Sequence, residues 1–322
     1  MDLDEVHERG ERVLDEVSRS VVADRAVLRR VLTGVLSGEH VLLEDVPGTG
    51  KTLTARSFAT ALGLSFSRIQ FTPDLLPSDV TGTYVFDDRE GSFEVNEGPL
   101  FANVVLADEI TRASPKTRAA LLEAMTERQV TVDGETHPLP SPFFVVATQN
   151  PVGRGEGTFS LPEAQKDRFL IKDSLGYPDK AAERKLLNRR DARDTSTPSV
   201  SRVLSADVLN EMQQATETVY VEDGIKEYIV DIVHKTRSDP RVAVGVSPYG
   251  CQRLFEGVRA TAAIYGRSFV VPDDVKAIAH ETLAHRLVPT AEAKVENIDR
   301  CQIVDDVLAE VSVPTVSRGG RA

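Results

Sequence analysis

Short apolar runs alternate along the first half of the chain with longer segments in which apolar residues recur every three or four positions. The runs are typical of buried strands and comprise HVLLE (40–44), FSRIQF (66–71), NVVLAD (103–108), FFVVATQN (143–150) and RFLIKDSL (168–175). Between them lie segments typical of amphipathic helices, such as DRAVLRRVLTGVLS, KTLTARSFATAL and PKTRAALLEAMTER. This alternation predicts an α/β fold with a parallel five-stranded sheet and helices on both faces.

Two other segments interrupt the alternation and have the pattern of β-hairpins. One is TYVFDDREGSFEV (83–95), and the other is QVTVDGETHPL (129–139), where Asp133-Gly134 suits a tight turn. We expect both hairpins to be insertions on the sheet.

The second half of the chain becomes polar after Leu187 and then shows helical patterns only. Ser247-Pro248 has the form of an N-cap followed by a first-turn proline. One apolar helical face is marked by Ile225, Tyr228, Ile229, Ile232 and Val233. The predicted organisation is a core (1–187), a linker (188–199), a small helical domain (200–312) and a loose tail (313–322).

Composition narrows the class of protein. The chain of 322 residues has no run of 18 apolar residues, and its acidic, helix-like start is unlike a signal peptide, so we expect a cytoplasmic globular protein. Its net charge of -12 disfavours nonspecific attraction to nucleic acid. Cys251 and Cys301 are too few and too isolated for a disulfide framework or a zinc site.

The stretch LLEDVPGTGKTLTA (42–55) has the form of a phosphate-binding loop between a strand and a helix. Gly48, Gly50, Lys51 and Thr52 fit the pattern G-x-x-x-x-G-K-[ST], but Asp45 stands where the pattern has its first glycine. In such a loop the helix N-terminus binds phosphate oxygens, the lysine adds charge and the hydroxyl serves Mg²⁺. The alternative is a Gly/Pro turn that ends in GKT by chance.

Polar side chains follow two of the predicted strands. Asp108 and Glu109 end VVLADE, where one carboxylate can hold Mg²⁺ and the next can polarise an attacking water. Asn150 ends the following strand at the same edge of the sheet. The alternatives are acids that merely solvate a strand end and a turn asparagine before Pro151.

Arg168 follows a short predicted helix in LPEAQKDRFL. An arginine at this place can stabilise the charge of a transferred phosphate in a neighbouring subunit. The alternative is a surface salt bridge with Asp167 or Glu163.

These features together resemble the MoxR family of AAA+ ATPases over about residues 10–290. The resemblance is carried by RIQFTPDLLPSDVTG, EGPLFANVVLADEITRASPKTRAALLEAMTERQVTV, VVATQNP, EGTFSLPEAQKDRF and GVSP. It implies an ATP-binding αβα core with a helical lid, and a homo-oligomeric ring, taken as hexameric, with sites between subunits. It also implies that ATP hydrolysis remodels or activates protein partners, often with von Willebrand factor A-type domains.

The resemblance also assigns roles to residues. Lys51 and Thr52 take the phosphate and Mg²⁺ roles, Asp108 takes Mg²⁺, and Glu109 takes the catalytic water. Asn150 matches sensor 1 and Arg168 the arginine finger, and the two hairpins match insertions that face the pore and partners. The expected nucleotide contacts are Val22, Pro47, Gly48, Thr49, Gly50, Lys51, Thr52 and Leu53.

Three positions depart from the family pattern. Asp45 replaces a loop glycine, which we expect nucleotide binding to survive, and Val21-Val22-Ala23-Asp24 stands where the family often has Val-Gly-Gln beside the adenine. The lid has Ser247-Pro248-Tyr249 where the family usually has the sensor-2 arginine. Arg253, one helical turn on from Tyr249, either substitutes for it by reaching toward the phosphates or pairs with Glu256 at the surface.

The leading hypothesis is therefore a ring-forming ATPase that acts on protein partners. A second is an ATP-dependent binding switch that hydrolyses slowly, which the missing sensor-2 arginine favours. A third is a helicase relative, which shares the hairpin insertions but is disfavoured by the acidic balance. GTP is disfavoured because the chain has no Asn-Lys-x-Asp motif.

Overall fold

A parallel sheet forms the centre of the first half of the chain. The computed structural model describes residues 1–89, 91–151, 161–195 and 197–314. Its strands are β1 (His40–Glu44), β2 (Phe66–Gln70), β3 (Gly82–Asp87), β4 (Ser92–Glu97), β5 (Val104–Asp108), β6 (Gln129–Val132), β7 (Glu135–Pro138), β8 (Phe144–Gln149), β9 (Phe169–Asp173), β10 (Val242–Val244) and β11 (Val288–Pro289).

Helices cover the sheet and make up most of the second half. They are α1 (Leu3–Ser20), α2 (Arg25–Leu36), α3 (Lys51–Leu62), α4 (Pro77–Thr81), α5 (Pro115–Glu127), α6 (Glu163–Lys166), α7 (Lys180–Asp191), α8 (Ala206–Thr216), α9 (Asp223–Ser238), α10 (Pro248–Ile264), α11 (Pro272–Leu283), α12 (Ala291–Val295) and α13 (Arg300–Glu310). No helix in the described parts of the chain is long and apolar enough to cross a membrane.

The central sheet has the strand order β2-β5-β8-β1-β9, and each neighbouring pair is parallel. Val41 and Leu43 of β1 belong to the hydrophobic cluster that includes α1, α2 and α3, whereas Leu42 belongs to the cluster that includes α5. Alternate side chains of a strand point to opposite faces, so the sheet is covered on both sides. The α/β prediction from the apolar runs is confirmed.

The two predicted hairpins are also confirmed. β3 pairs antiparallel with β4, and β6 pairs antiparallel with β7. Asp133 and Gly134 have φ values of 49° and 91°, as a tight hairpin turn requires. The hairpins touch each other where the hydroxyl of Tyr84 donates to Glu135 at 2.6 Å.

The second half of the chain is mainly helical and packs on the first. The predicted apolar face of α9 is buried, and Ser247 caps α10 by accepting from the N–H of Gly250 at 2.9 Å. The prediction of helices only is wrong here, because β10 and β11 form a short antiparallel pair. Strands of two or three residues are too short to show an alternating pattern.

The predicted domain bounds stay a prediction. Leu187, where the core was expected to end, lies within α7. One hydrophobic cluster joins α1 and α2 to α10, so the helical half shares its interior with the core. Residues 156–160 of the EGTFSLPEAQKDRF motif and residues 315–322 of the predicted tail lie outside the described residues.

Candidate nucleotide-binding site

The predicted phosphate loop lies between the carboxyl end of β1 and the start of α3, the edge of a parallel sheet where ligands bind. Gly48 and Gly50 have φ values of 91° and 96°, a region that favours glycine. A Cβ on either would meet no described atom within 4 Å, so the surface of the loop is open there. Gly50 is also the N-cap of α3, and it has no side chain to occupy the first-turn N–H groups.

Lys51 is buried under this loop. Its Nζ donates to the carbonyl oxygens of Asp45 at 2.6 Å and Val46 at 2.9 Å. Burial lowers the pKa of Lys51, and the carboxylates of Asp45, Asp108 and Glu109 act in the opposite direction. A phosphate group is negatively charged and its oxygens accept more strongly than a carbonyl, so it can displace these two partners of Lys51.

Asp108 and Glu109 meet around the hydroxyl of Thr148, which lies on the next strand. Thr148 Oγ1 donates to Asp108 Oδ1 at 2.6 Å and accepts from the N–H of Glu109 at 2.9 Å. Asp108 Oδ2 accepts from Arg68 Nη2 at 2.6 Å. Sequence reasoning missed both Arg68 and Thr148, although each is a polar residue inside an otherwise mostly apolar predicted strand.

Glu109 and Asn150, predicted as catalytic residues, are brought together. Glu109 has a left-handed backbone with φ 57°, which turns the chain sharply at the end of β5. Its Oε2 accepts from Arg112 Nη1 at 2.8 Å, and its Oε1 lies 3.4 Å from Asn150 Nδ2. The carboxylate therefore has one oxygen held by a cation and the other facing the predicted water-positioning amide.

Asp45 has more partners than the sequence suggested. Its side chain is buried and accepts from Ser174 Oγ at 2.9 Å and from the N–H of Leu175 at 2.6 Å. The N–H of Gly176 lies 3.3 and 3.4 Å from its two oxygens. The residue that departs from the loop pattern is thus tied to the turn after β9.

Val22, the predicted contact with the base, lies just after the end of α1. Val22 is half-buried there, and the preceding Val21 accepts a hydrogen bond from Arg189 of α7 at 3.3 Å. Leu53, another predicted nucleotide contact in the first turn of α3, packs against the hydrophobic cluster that contains Val21. Thr49 Oγ1 donates within the loop to the carbonyl of Val46 at 3.3 Å.

Arg168 lies at the opposite edge of the sheet. It precedes Phe169, which pairs with His40 at the start of β1, whereas the phosphate loop follows the end of β1. The five residues of β1 separate the two edges by roughly 16 Å. Arg168 donates to Thr126 Oγ1, and it does not form the salt bridges that were its alternative, because Glu163 pairs with Lys166 and Asp167 pairs with Arg286.

Arg253 lies at this opposite edge as well. It pairs with Glu39, the residue just before β1, and its guanidinium stacks over the ring of Tyr249 at 4.5 Å. Glu256, the predicted surface partner, pairs with Arg259 at 3.1 Å instead. Arg253 is therefore about one strand length away from Lys51 of its own chain.

Arg286 joins the helical half to the segment that carries Arg168, and sequence reasoning missed it. Its Nε donates to Asp167 Oδ1 at 2.7 Å, and Ser247 Oγ donates to the other oxygen at 2.8 Å. The guanidinium also donates to several backbone carbonyls, those of Asp167, Phe169, Leu170 and Thr282. Burial lowers its pKa to about 10, so it remains charged near neutral pH.

Comparisons with known proteins place this geometry among ATPases. Residues 40–171 match the ATPase family associated with various cellular activities (AAA), and residues 234–307 match the AAA lid domain. The chaperone MoxR1 of Mycobacterium tuberculosis is 41% identical, over 95% of this chain and 83% of that protein. Protein MoxR of Methylorubrum extorquens is 31% identical, over 92% and 91% of the two chains.

Two further similarities extend over almost the whole chain. The uncharacterised protein YeaC of Bacillus subtilis is 46% identical over 94% of each chain. A solved structure from Cytophaga hutchinsonii, of a protein assigned as an ATPase, superposes with a TM-score of 0.90 at 38% identity over 97% of each chain. The core and the helical half therefore share a common arrangement with a known structure.

Proposed function

The chain belongs to the MoxR family of AAA+ ATPases, and from this premise we propose that it binds Mg-ATP at subunit interfaces and uses hydrolysis to remodel or activate protein partners. Family membership makes it a chaperone-like, nucleotide-binding ATPase. The proposal of ATP hydrolysis at this site rests on the contact between Glu109 and Asn150, 3.4 Å apart, at the sheet edge where Lys51 also lies.

The residues of this edge divide the reaction between them. Lys51 and the N-terminus of α3 bind the phosphates. Glu109 takes a proton from the attacking water, which Asn150 positions beside it. Catalysis of phosphoryl transfer rests mainly on such positioning and on charge stabilisation.

The oxygen groups of Thr52 and Asp108 fit the ligand preference of Mg²⁺, a hard cation that keeps several waters and binds one or two carboxylates plus phosphates. They would hold the ion, directly or through its waters. When bound, Mg²⁺ supplies positive charge that offsets the charge of the phosphates.

Arg168 supports the proposal that the site is shared between subunits. It lies a strand length away from Lys51, so an arginine finger at this position serves the site of a neighbouring copy. A ring, which we take as hexameric, gives every site such a neighbour. Arg253 lies at the same edge, so the phosphates that it could contact are those bound by a neighbouring subunit.

The family also suggests a class of partner and a location. A protein partner, possessing a von Willebrand factor A-type domain, fits the family, and the net charge of -12 disfavours nucleic acid. The proposed location is the cytoplasm. Capture of partners by the Glu109→Gln variant, which is expected to hold ATP without cleaving it, tests the choice of partner.

The central test combines molecular mass and turnover. ATP should shift the mass from that of a single chain to that of an oligomer, and Lys51→Ala should abolish both this shift and nucleotide binding. Glu109→Gln should keep binding and lose turnover. A strict monomer with and without ATP, together with unchanged turnover in Glu109→Gln, would refute the proposal.

A slow nucleotide switch is the second candidate, and one observation favours it. Tyr249 stands at the sensor-2 position, and Arg253 is engaged with Glu39. Single-turnover kinetics at saturating ATP separate the two candidates. Rapid cleavage of bound ATP contradicts the switch.

A further inference from the structure

Asp45 is held as a bound anion by the turn Ser174–Gly176. Its carboxylate accepts from a hydroxyl and two backbone N–H groups of that turn, at distances from 2.6 to 3.4 Å. Gly176 has φ 68°, a left-handed backbone that curls the successive N–H groups toward one point. The turn is therefore shaped around this carboxylate.

A carboxylate at this position has an electrostatic cost. It stands next to the loop that is proposed to bind phosphates, and like charges repel strongly where water is partly excluded. The glycine of the usual pattern avoids this repulsion. The N–H dipoles of Leu175 and Gly176 offset part of the charge, so the residue and the turn form one unit.

The backbone of Asp45 reaches two other parts of the site. Its N–H donates to the carbonyl of Gln149 at 3.2 Å, immediately before Asn150. Its carbonyl accepts from Lys51 Nζ at 2.6 Å. One residue thus contacts the phosphate-binding lysine, the strand end that carries Asn150, and the turn after β9.

That turn leads to α7, which begins at Lys180. Arg189 of α7 donates to the carbonyl of Val21, beside the predicted base contact Val22. The chain then continues from α7 into the helical half. The position of the turn at Asp45 therefore sets where α7 starts relative to the nucleotide site.

We propose that Asp45 is a positioning residue for ATP hydrolysis, which couples the phosphate loop to α7 through its hold on Ser174–Gly176. When phosphate draws Lys51 away from the carbonyl of Asp45, the loop is free to move, and the carboxylate carries that movement to the turn. The inference rests on the proposed function, because it requires nucleotide at Lys51.

The test replaces Asp45 by the glycine of the usual pattern and follows backbone hydrogen exchange over residues 174–191, with and without a non-hydrolysable ATP analogue. In the wild type we expect the analogue to slow exchange in this segment. Asp45→Gly should bind the analogue within about threefold of the wild type, lose this slowing, and lower kcat roughly tenfold with little change in KM. Asp45→Asn, which conserves the shape of the side chain, should lose less of the slowing and less of the kcat.

Asp179→Asn is the matched control. Asp179 caps α7 by accepting from the N–H of Ala182 at 2.7 Å, and this variant removes the negative charge at the start of the helix without touching the loop. It should keep the nucleotide-dependent slowing. The inference would be overturned if Asp45→Gly and Asp179→Asn had the same effect on kcat and on hydrogen exchange. It would also be overturned if Asp45→Gly and Asp45→Asn both kept the kcat and the exchange of the wild type. Equal analogue binding by the wild type and Lys51→Ala would instead overturn the proposed function.

Discussion

Arg68 holds Asp108 through two hydrogen bonds to one carboxylate oxygen, from Nη2 at 2.6 Å and from Nε at 3.1 Å. Arg68 lies on the edge strand β2, and its side chain is 47% exposed. A guanidinium at this point occupies the electrostatic position that a metal cation needs beside Asp108. The exposed side chain has room to swing into solvent when the metal enters.

Replacing Arg68 by glutamine should therefore strengthen metal binding in the absence of nucleotide. Solvent screening limits the repulsion between Arg68 and the metal ion to about 1 kcal/mol. Its removal should lower the dissociation constant of Mn²⁺ about fivefold. Electron paramagnetic resonance of free Mn²⁺ measures this dissociation constant. Arg56→Gln is the control, because Arg56 stacks on Phe66 of the same strand. Equal Mn²⁺ affinity in both variants would contradict the competition.

Mixing two inactive variants should restore ATPase activity if the site is shared. Lys51→Ala removes the phosphate contact and Arg168→Ala removes the finger, and each alone should lower the ATPase rate at least roughly 1000-fold. In mixed oligomers, some interfaces pair an intact Lys51 with an intact Arg168. The activity of an equimolar mixture should rise well above the average of the two variants. Activity that stays at that average would place Arg168 outside the neighbour's site.

Arg286 should be important for stability. Removing it leaves Asp167 without its cation and several carbonyls without donors, so Arg286→Ala should cost about 3 kcal/mol of unfolding free energy. Urea denaturation measures this cost. Lys235→Ala is the control, since Lys235 pairs with Glu310 at the exposed surface and should cost less than about 1 kcal/mol. A smaller loss for Arg286→Ala than for the control would contradict the assignment.

His40 should make stability fall in mild acid. Burial and the charge of Arg128 lower its pKa from 6.5 to about 3, and Val145 N–H donates to Nδ1 at 3.1 Å, which requires that nitrogen to be unprotonated. The unfolded chain takes up this proton below pH 6.5 and the folded chain does not, so stability present above pH 6.5 is lost as the pH falls toward 3. The loss should reach about 2 kcal/mol at pH 5.

Urea denaturation of the wild type and of His40→Asn at pH 7.5 and 5 isolates this effect. The subtraction is needed because the pKa of buried His285 is also lowered, by burial and by Arg286. The variant should be less stable at pH 7.5 but should lose less stability on acidification. Equal losses in both proteins would rule out His40 as the cause.

The sequence predicted the features that follow from burial and chain direction. Apolar runs gave the strands of the sheet because both faces are covered by helices. Since parallel strands deliver their carboxyl ends to one edge, Glu109 and Asn150 could be expected to meet, and they do. The hairpin turn at Asp133-Gly134 followed from the left-handed backbone that this dipeptide tolerates.

The partners of these residues could not be predicted, because they come from distant positions whose register no local pattern fixes. Arg68 reaches Asp108 across 40 residues, and Arg286 reaches Asp167 across 119. The side chain of Asp45 was expected to matter little, but its donors lie 129 to 131 residues downstream. Periodicity identifies which face of an element is buried and says nothing about such pairs.

The placement of Lys51 and Arg168 at opposite edges gives each subunit a direction. If Arg168 completes the neighbour's site, copies join head to tail, and an open arc always leaves one incomplete site at one end and one idle arginine at the other. An arc of n subunits then has n-1 complete sites, and closing the circle adds the last one without adding a subunit. Activity per subunit should therefore rise with the length of the arc and become uniform only upon closure.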